Sequence, residues 1–381
     1  MKLTLCLVSS FLFLGGSLFA QVPGMMTMQP ASVPQGTDLG ANNTVNAAGI
    51  ALGNRVKLRG FVDFAYSYGD LNAPEGNATI SSASNKDARF HTAADLDFLF
   101  DFSPVTGELH LQASTEDIGL EQAFIRYSFN RDFNLSLGRQ LTALSYEGDE
   151  APQLLSTSHA YFSDALFTNE AFGDAKSTLL NATGLNTAFH NNNSNSLRRN
   201  YVDGIRANFN NGRFGLTIGL HDGYWVDDDF NKDNIAVDIA ASLMIIPGLV
   251  ARLGYAHQNT ESAAADDDIQ HFNAWVEYNP GNLTLALEYD NFDILGTDIW
   301  DIMLLGNYQF SQVFGLTLKY AHEDIEKGVV NIDSDRISLA LLFSITDQFG
   351  FNIEYSHTEF DIAGVGDGDA DEFYLEGLFN F

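Results

Sequence analysis

Ala251-Arg252-Leu253-Gly254-Tyr255-Ala256-His257 is echoed downstream by Leu285-Ala286-Leu287-Glu288-Tyr289, by Leu316-Thr317-Leu318-Lys319-Tyr320-Ala321-His322 and by Phe351-Asn352-Ile353-Glu354-Tyr355-Ser356-His357. The four tyrosines are spaced 34, 31 and 35 residues apart. Each copy alternates apolar and polar residues, the period of a strand with two unlike faces. The last stretch, Phe373-Tyr374-Leu375-Glu376-Gly377-Leu378-Phe379-Asn380-Phe381, alternates in the same way and stops on an aromatic. The repeating unit is a β-hairpin. The reading is an all-β chain: a transmembrane, antiparallel, up-and-down β-barrel whose outer face meets lipid.

The same alternation extends toward the N-terminus. Residues 56–68 set Val56, Leu58, Val62, Phe64, Tyr66 and Tyr68 against Lys57, Arg59, Asp63 and Ser67. Residues 94–102 set Leu96, Phe98, Phe100 and Phe102 against Asp95, Asp97 and Asp101. Ala123, Ile125, Tyr127 and Phe129 oppose Gln122, Arg126 and Ser128. Asn211-Gly212 is a tight-turn sequence between two such runs. The count reaches about sixteen strands over residues 55–381.

Connections alternate in length. One set is short: 103–107, 130–132, 210–213, 247–248, 279–282, 311–313 and 346–348. The other set is mostly long and polar: 69–87, 141–200, 222–234, 258–267, 323–333 and 358–371, with 115–119 the short exception. Outer-membrane barrels have short periplasmic turns and long outer loops. A soluble sandwich gives no reason for that asymmetry. Aromatics sort by strand end. Phe129, Phe133, Phe209, Phe214, Phe310, Phe314, Tyr278, Phe349 and Phe381 flank the short turns, and Tyr68, Tyr255, Tyr289, Tyr320 and Tyr355 lie at the other rim. Two aromatic belts around an aliphatic band fit the two interfaces of a bilayer.

Residues 1–20 read as a secretory signal: Lys2, an apolar core, then Gly15, Gly16 and Ser17 before Ala20. Cys6, the chain's one cysteine, lies inside that core, so the exported chain has no disulfide. Residues 21–54, rich in Pro, Met, Gly and Asn, read as a flexible periplasmic segment; a small plug is the alternative. The chain carries 19 Lys+Arg against 50 Asp+Glu, for a net charge of −31, which argues against a nucleic-acid partner. No internal apolar run approaches the roughly 20 residues of a membrane helix.

Leu137-Gly138-Arg139-Gln140-Leu141-Thr142-Ala143-Leu144-Ser145-Tyr146 resembles the Gly-Arg-Gln-x-Thr segment that leads into the long third loop of general porins, and Tyr146-Glu147-Gly148 is similar to OmpL-like porins. Asp203-Gly204-Ile205-Arg206 resembles the strand that follows that loop. With the terminal Phe381, the chain resembles a Gram-negative outer-membrane porin. The resemblance implies residence in the cell outer membrane and a water-filled channel for passive diffusion of ions and small hydrophilic solutes. It also implies contact with outer-membrane lipid and lipopolysaccharide, a homotrimer, and a third extracellular loop (141–200) that folds inward as the constriction.

Candidate pore-lining residues follow from parity. Glu147, Asp149 and Glu150 at the start of the loop are set against Lys57, Arg59, Arg126 and Arg206, an opposition that makes a transverse field. Asp95, Asp97, Asp101, Arg252 and Arg336 also face the bore. Arg139 shares the outward parity of Leu137, and a bulge is expected to turn it inward. By parity, seven cations and twelve acids point inward, which predicts a mild cation preference. Asp227-Asp228-Asp229, Asp266-Asp267-Asp268 and Asp367-Gly368-Asp369-Ala370-Asp371-Glu372 read as solvated outer loops, with weak Ca²⁺ or Mg²⁺ binding as the sharper alternative. His257, His322 and His357 lie on every second strand, with neighbouring histidine-bearing backbones ~10 Å apart. They read as interface polar residues, not metal ligands. No cofactor and no catalytic constellation is expected. The rivals are a structural or adhesive barrel with a closed lumen and a hydrophobic-substrate transporter of the fatty-acid type.

Overall fold

The computed structural model describes residues 50–114, 118–148, 154–172, 174–183, 185, 197–198, 200–225, 235–259 and 268–381. Residues 1–20, most of the 21–54 segment, Asp149, Glu150, Asp227-Asp228-Asp229, Asp266 and Asp267 lie outside these residues. Sixteen barrel strands are present. They are β1 (Val56–Asn72), β2 (Asn85–Phe102), β3 (Val105–Ala113), β4 (Ile118–Ser128), β5 (Phe133–Leu141), β6 (Tyr201–Asn210), β7 (Phe214–His221) and β8 (Ala236–Ile246). The second half comprises β9 (Leu249–Gln258), β10 (Ile269–Tyr278), β11 (Leu283–Ile294), β12 (Thr297–Gln309), β13 (Phe314–Lys327), β14 (Val330–Ser344), β15 (Phe349–Ile362) and β16 (Gly366–Asn380).

Every strand pairs antiparallel with its neighbour in sequence. The ring closes between β16 and β1, from Asp369 opposite Asn72 to Asn380 opposite Phe61. Closure leaves no unpaired edge, which lipid requires because it offers no hydrogen bonds to a bare backbone. Just before β1, Ile50–Ala51 pairs with Leu58 and Lys57, so the 21–54 segment ends on the barrel.

The short turns are built by side chains that satisfy local amides. Asn211 Oδ1 accepts from the amides of Arg213 and Phe214, and Gly212 takes a φ of +86°, which favours glycine. Asn130, Ser311 and Thr346 accept in the same way at three other turns. The phenylalanines beside these turns stack: Phe129 on Phe133 at 5.3 Å, Phe310 on Phe314 at 5.4 Å and Phe343 on Phe351 at 4.6 Å between centroids.

Two of the expected long outer loops are strand. β13 and β14 stay paired as far as Lys327 opposite Val330, and β15 and β16 as far as Ile362 opposite Gly366. Their connections are Gly328-Val329 and 363–365 rather than 323–333 and 358–371. A third hairpin turns at Leu295-Gly296, with φ of 52° and 72°, the doubly positive combination of a tight hairpin turn. Ile325, Ile332, Phe360 and Ile362 on the inner side of these extensions are buried, which is why the polar-looking stretches remain sheet. For the same reason Asp367-Gly368-Asp369-Ala370-Asp371-Glu372 is strand and not an outer loop: Asp367, Asp369 and Asp371 share the outward face, while Ala370 and Glu372 are buried inside.

Candidate functional site

The lumen is organised by the third loop. It leaves β5 at Leu141, returns at β6, and carries α1 (Phe162–Thr168) and α2 (Asp174–Thr183). Its described residues lie inside the barrel. Ala143, Leu144, Tyr146, Tyr161, Phe162, Ala165 and Phe172 are each no more than 4% exposed. Toward the outer ends of the strands, Phe162, Leu166, Leu179 and Leu180 of the loop join Leu71, Ile294, Ile299, Ile325, Ile332, Phe360 and Ile362 of the wall in one apolar cluster. Phe162 stacks on Phe360 at 5.1 Å. A second cluster lies against β10 to β13, where Tyr146, Leu155, Ala160 and Tyr161 meet Trp275, Ala286, Met303, Leu305 and Ala321.

Inward carboxylates of the wall hold the loop backbone between and below these clusters. Glu354 accepts from the amides of Thr157 (2.6 Å) and Ser158 (3.2 Å), and Glu376 from Thr157 Oγ1 (3.0 Å). Glu323 accepts from the Ser163 amide at 3.0 Å, and Glu277 from the Tyr146 hydroxyl at 2.8 Å. Glu288 accepts from the Tyr146 amide, and Glu372 from Asn169 at 3.0 Å. Burial, reinforced by neighbouring carboxylates, raises the Tyr146 and Tyr161 phenols well above their ordinary range and keeps them as donors.

Five buried cations complete the docking among the described residues. Arg198, near the end of the loop, bonds Asp164 at 2.6 Å, reaches Asp290 at 3.5 Å and bonds Asp301. Its guanidinium lies 3.7 Å from the Tyr161 ring centroid. Lys319 of β13 meets Glu147 at 3.1 Å and Ser156 Oγ at 2.8 Å. Arg336 of β14 binds Glu372 and Ser158 Oγ. Arg206 and Arg252 donate to the carbonyls of Leu141 and Ala143 where the loop enters the bore.

Parity places Lys57, Arg59, Asp95, Asp97, Asp101, Arg126, Arg206, Arg252 and Arg336 on the inner face. Their partners differ from the expected arrangement. Glu147 faces Lys319, whereas Arg59 pairs with Asp97 at 2.7 Å, Arg126 with Glu108 at 3.4 Å and Arg206 with Asp238 at 3.5 Å. These basic side chains are thus matched within their own wall: Arg59 and Arg126 to acids of the adjacent strand, and Arg206 to β8 across Gly219 of the intervening β7. Asp101 sits at the periplasmic end, where it accepts from the amide and hydroxyl of Ser103. Arg139 does not turn inward as expected. No register shift occurs between β5 and its neighbours, so it keeps the outward parity and pairs with Asp203 at 3.0 Å. Gly138 absorbs the local distortion with a φ of +124°, its Cα facing the Ala123 carbonyl so closely that a Cβ would lie 2.3 Å from that oxygen.

Sequence reasoning missed Arg198, Glu108 and His110. Glu108 and His110 alternate with Leu109 and Leu111, the signal that would have placed them inward; His110 lies 2.7 Å from Asp97 and 3.1 Å from Glu108. Arg198 had a weaker signal, a cation after an Asn/Ser-rich tract.

A profile of the Gram-negative porins matches residues 43–381. No curated protein matches the sequence. Solved structures share the fold. The outer membrane channel DcaP of Acinetobacter baumannii superposes with a TM-score of 0.58 at 14% identity, covering 88% of this chain and 100% of that one. The anion-selective porin from Comamonas acidovorans gives 0.58 at 14% identity, covering 86% and 99%. OprB of Pseudomonas putida gives 0.58 at 12% identity, covering 86% and 94%. With its closed sixteen-stranded barrel, this chain belongs to the Gram-negative porins, outer-membrane channels for small solutes.

Proposed function

We propose that this porin is a passive, mildly cation-preferring channel whose bore is set by the docked third loop. One observation carries the selectivity. Six cations of the wall and loop are matched to acids: Arg59 to Asp97, Arg126 to Glu108, Arg206 to Asp238, Lys319 to Glu147, Arg336 to Glu372, and Arg198 to Asp290 and Asp301, while Arg252 donates to the Ala143 carbonyl. Glu277, Glu354 and Glu376 instead meet neutral donors of the loop and of Asn352. Hydrogen bonds from neutral groups hold a carboxylate without cancelling its charge, so the bore keeps a negative excess that favours cations. The inward carboxylates Glu277, Glu288, Glu323, Glu354, Glu372 and Glu376 of the wall hold the loop, which fits a conduit. A homotrimer embedded beside lipopolysaccharide belongs to the same reading.

Planar-bilayer recording across a KCl gradient tests it. Stable open steps with a reversal potential of the cation-selective sign are expected. Glu354→Gln with Glu376→Gln moves the potential toward zero, and a potential of the anion-selective sign defeats the reading. The apolar cluster in the outer mouth favours the rival closed barrel. Absence of conductance steps from folded, inserted protein would decide for that rival.

A further inference from the structure

Three outer-rim hairpins repeat one motif, a Tyr-x-His on the first strand facing polar side chains of the next. The histidines are too far apart to share an ion, but each has its own neighbours. On β13, His322 Nδ1 lies 3.1 Å from Asp335 Oδ1 and Nε2 lies 4.0 Å from Asp333 Oδ2, both on β14. One ligand atom from each of the three residues lies within 4.8 Å of the others. The backbones are fixed by the ladder, with His322 opposite Asp335 and Asp324 opposite Asp333. Two of the three side chains are restrained from outside the group: Tyr320 donates its hydroxyl to Asp335 at 2.6 Å, and the Trp300 ring of β12 sits 4.9 Å from the imidazole.

We propose that His322, Asp333 and Asp335 bind one divalent cation of the borderline class, with Zn²⁺ as the reference ion, on the outer lip of the barrel. One imidazole with two carboxylates is a donor set suited to such an ion. A hard cation such as Ca²⁺ takes six to eight oxygens instead. Two carboxylates balance the charge of the ion. Asp324 and Asp361, opposite Asp333 on the two flanking strands, add the attractive field. Asp333 is about half exposed (49% for its side chain), so it has room to close the remaining distance. The hydroxyl on Asp335 and the indole on His322 act as the outer contacts that orient ligands in metal sites.

The other two hairpins are internal controls. His257 meets Asn259 at 2.7 Å and Asp268 at 3.8 Å, with Gln270 opposite it on β10. His357 has Asp371 at 2.8 Å and Glu359, from its own strand, at 3.8 Å. The other described group of this kind, Asp95, Asp97 and His110, is inside the bore, and there the Arg59 guanidinium lies 2.7 Å from Asp97 and opposes a cation.

The test uses untagged, full-length mature protein folded in detergent micelles and titrated calorimetrically with ZnCl₂, with CaCl₂ as competitor. Cu²⁺ electron paramagnetic resonance reads nitrogen coordination. The expected result is one Zn²⁺ per chain, lost in His322→Ala, weakened about tenfold or more in Asp335→Asn, and retained in His357→Ala and under excess Ca²⁺. Nitrogen hyperfine structure should vanish in His322→Ala alone. Heat-modifiable migration confirms that each variant keeps the barrel. Wild-type Zn²⁺ binding by His322→Ala, displacement by equimolar Ca²⁺, or no Zn²⁺ binding by folded protein overturns the proposal.

Discussion

The lower and upper halves of β13 are the same strand with exchanged faces. From Phe314 to Tyr320, Leu316, Leu318 and Tyr320 point outward, while Thr317 and Lys319 are buried inside. Above Tyr320, His322, Asp324 and Glu326 point outward, while Ala321, Glu323 and Ile325 are buried inside. β15 repeats the exchange: Phe351, Ile353 and Tyr355 give way outward to His357, Glu359 and Asp361, and Asn352 and Glu354 give way inward to Phe360 and Ile362. The backbone fixes which residues share a face; the surrounding medium fixes what those residues must be. Within the bilayer the outside is oil. Above the tyrosine belt the outside is water, and the apolar residues retreat inward against the third loop.

The largest expected effect probes the interior at the level of the tyrosine belt, where the two halves meet. Arg198→Ala leaves Asp164, Asp290 and Asp301 buried without their cation, at a cost of about 3–5 kcal/mol. Limited proteolysis should then cut the third loop while the barrel stays resistant. An unchanged digestion pattern would separate loop docking from this ion cluster.

Next comes the outer face of the same strand. Leu318→Arg, in the lipid-facing band, should cost about 2–4 kcal/mol in urea unfolding from vesicles. Asp324→Leu, two turns of the pleat above Tyr320, should change stability by no more than about 0.5 kcal/mol. Equal costs at the two positions would show that the bilayer boundary does not lie at the tyrosines.

A smaller effect separates the two kinds of apolar contact. Ile325→Val removes one methylene from a protein-packed site and should cost about 0.5–1.5 kcal/mol. Leu318→Val, whose lost contacts lipid replaces, should cost less under the same unfolding conditions.

The smallest effect is a titration above the belt. Tyr355 donates to Asp371 at 2.6 Å, and that bond, followed by His357, lowers the Asp371 carboxyl below its ordinary range. A lowered carboxylate contributes stability that is present above its unfolded value and is lost as pH falls through its folded value. Asp371→Asn should therefore flatten the acid limb of thermal stability slightly, with no change near neutral pH. A change near neutral pH would locate the sensitivity in another group.

The membrane-level half was legible because its alternation is strict and its medium uniform. The strand-end aromatics, the Asn-Gly turn and the inner parity of Arg126, Arg206 and Arg336 all followed from period two. In the upper half the sequence suggests loops at 323–333 and 358–371 where the chain is sheet. Its apolar residues change sides, and a pattern that expects oil outside sees only charge. The short Gly-Arg-Gln motif points Arg139 inward, but the ladder keeps its register and parity prevails. Pairings inside the bore were not legible. Arg59 faces Asp97 and Lys319 faces Glu147 because of how neighbouring strands and a folded loop fill a shared volume.

The order of apolar and polar residues along the chain was by itself sufficient to set an antiparallel barrel, its lipid band and the side that each residue takes, since strand parity is a local property of the backbone. Only the tertiary structure decided that the third loop is seated on wall carboxylates, that the outer hairpins continue as sheet, and that His322 meets Asp333 and Asp335. These depend on distances between segments far apart in sequence, set by ring closure and by packing around the loop, and no local period encodes them.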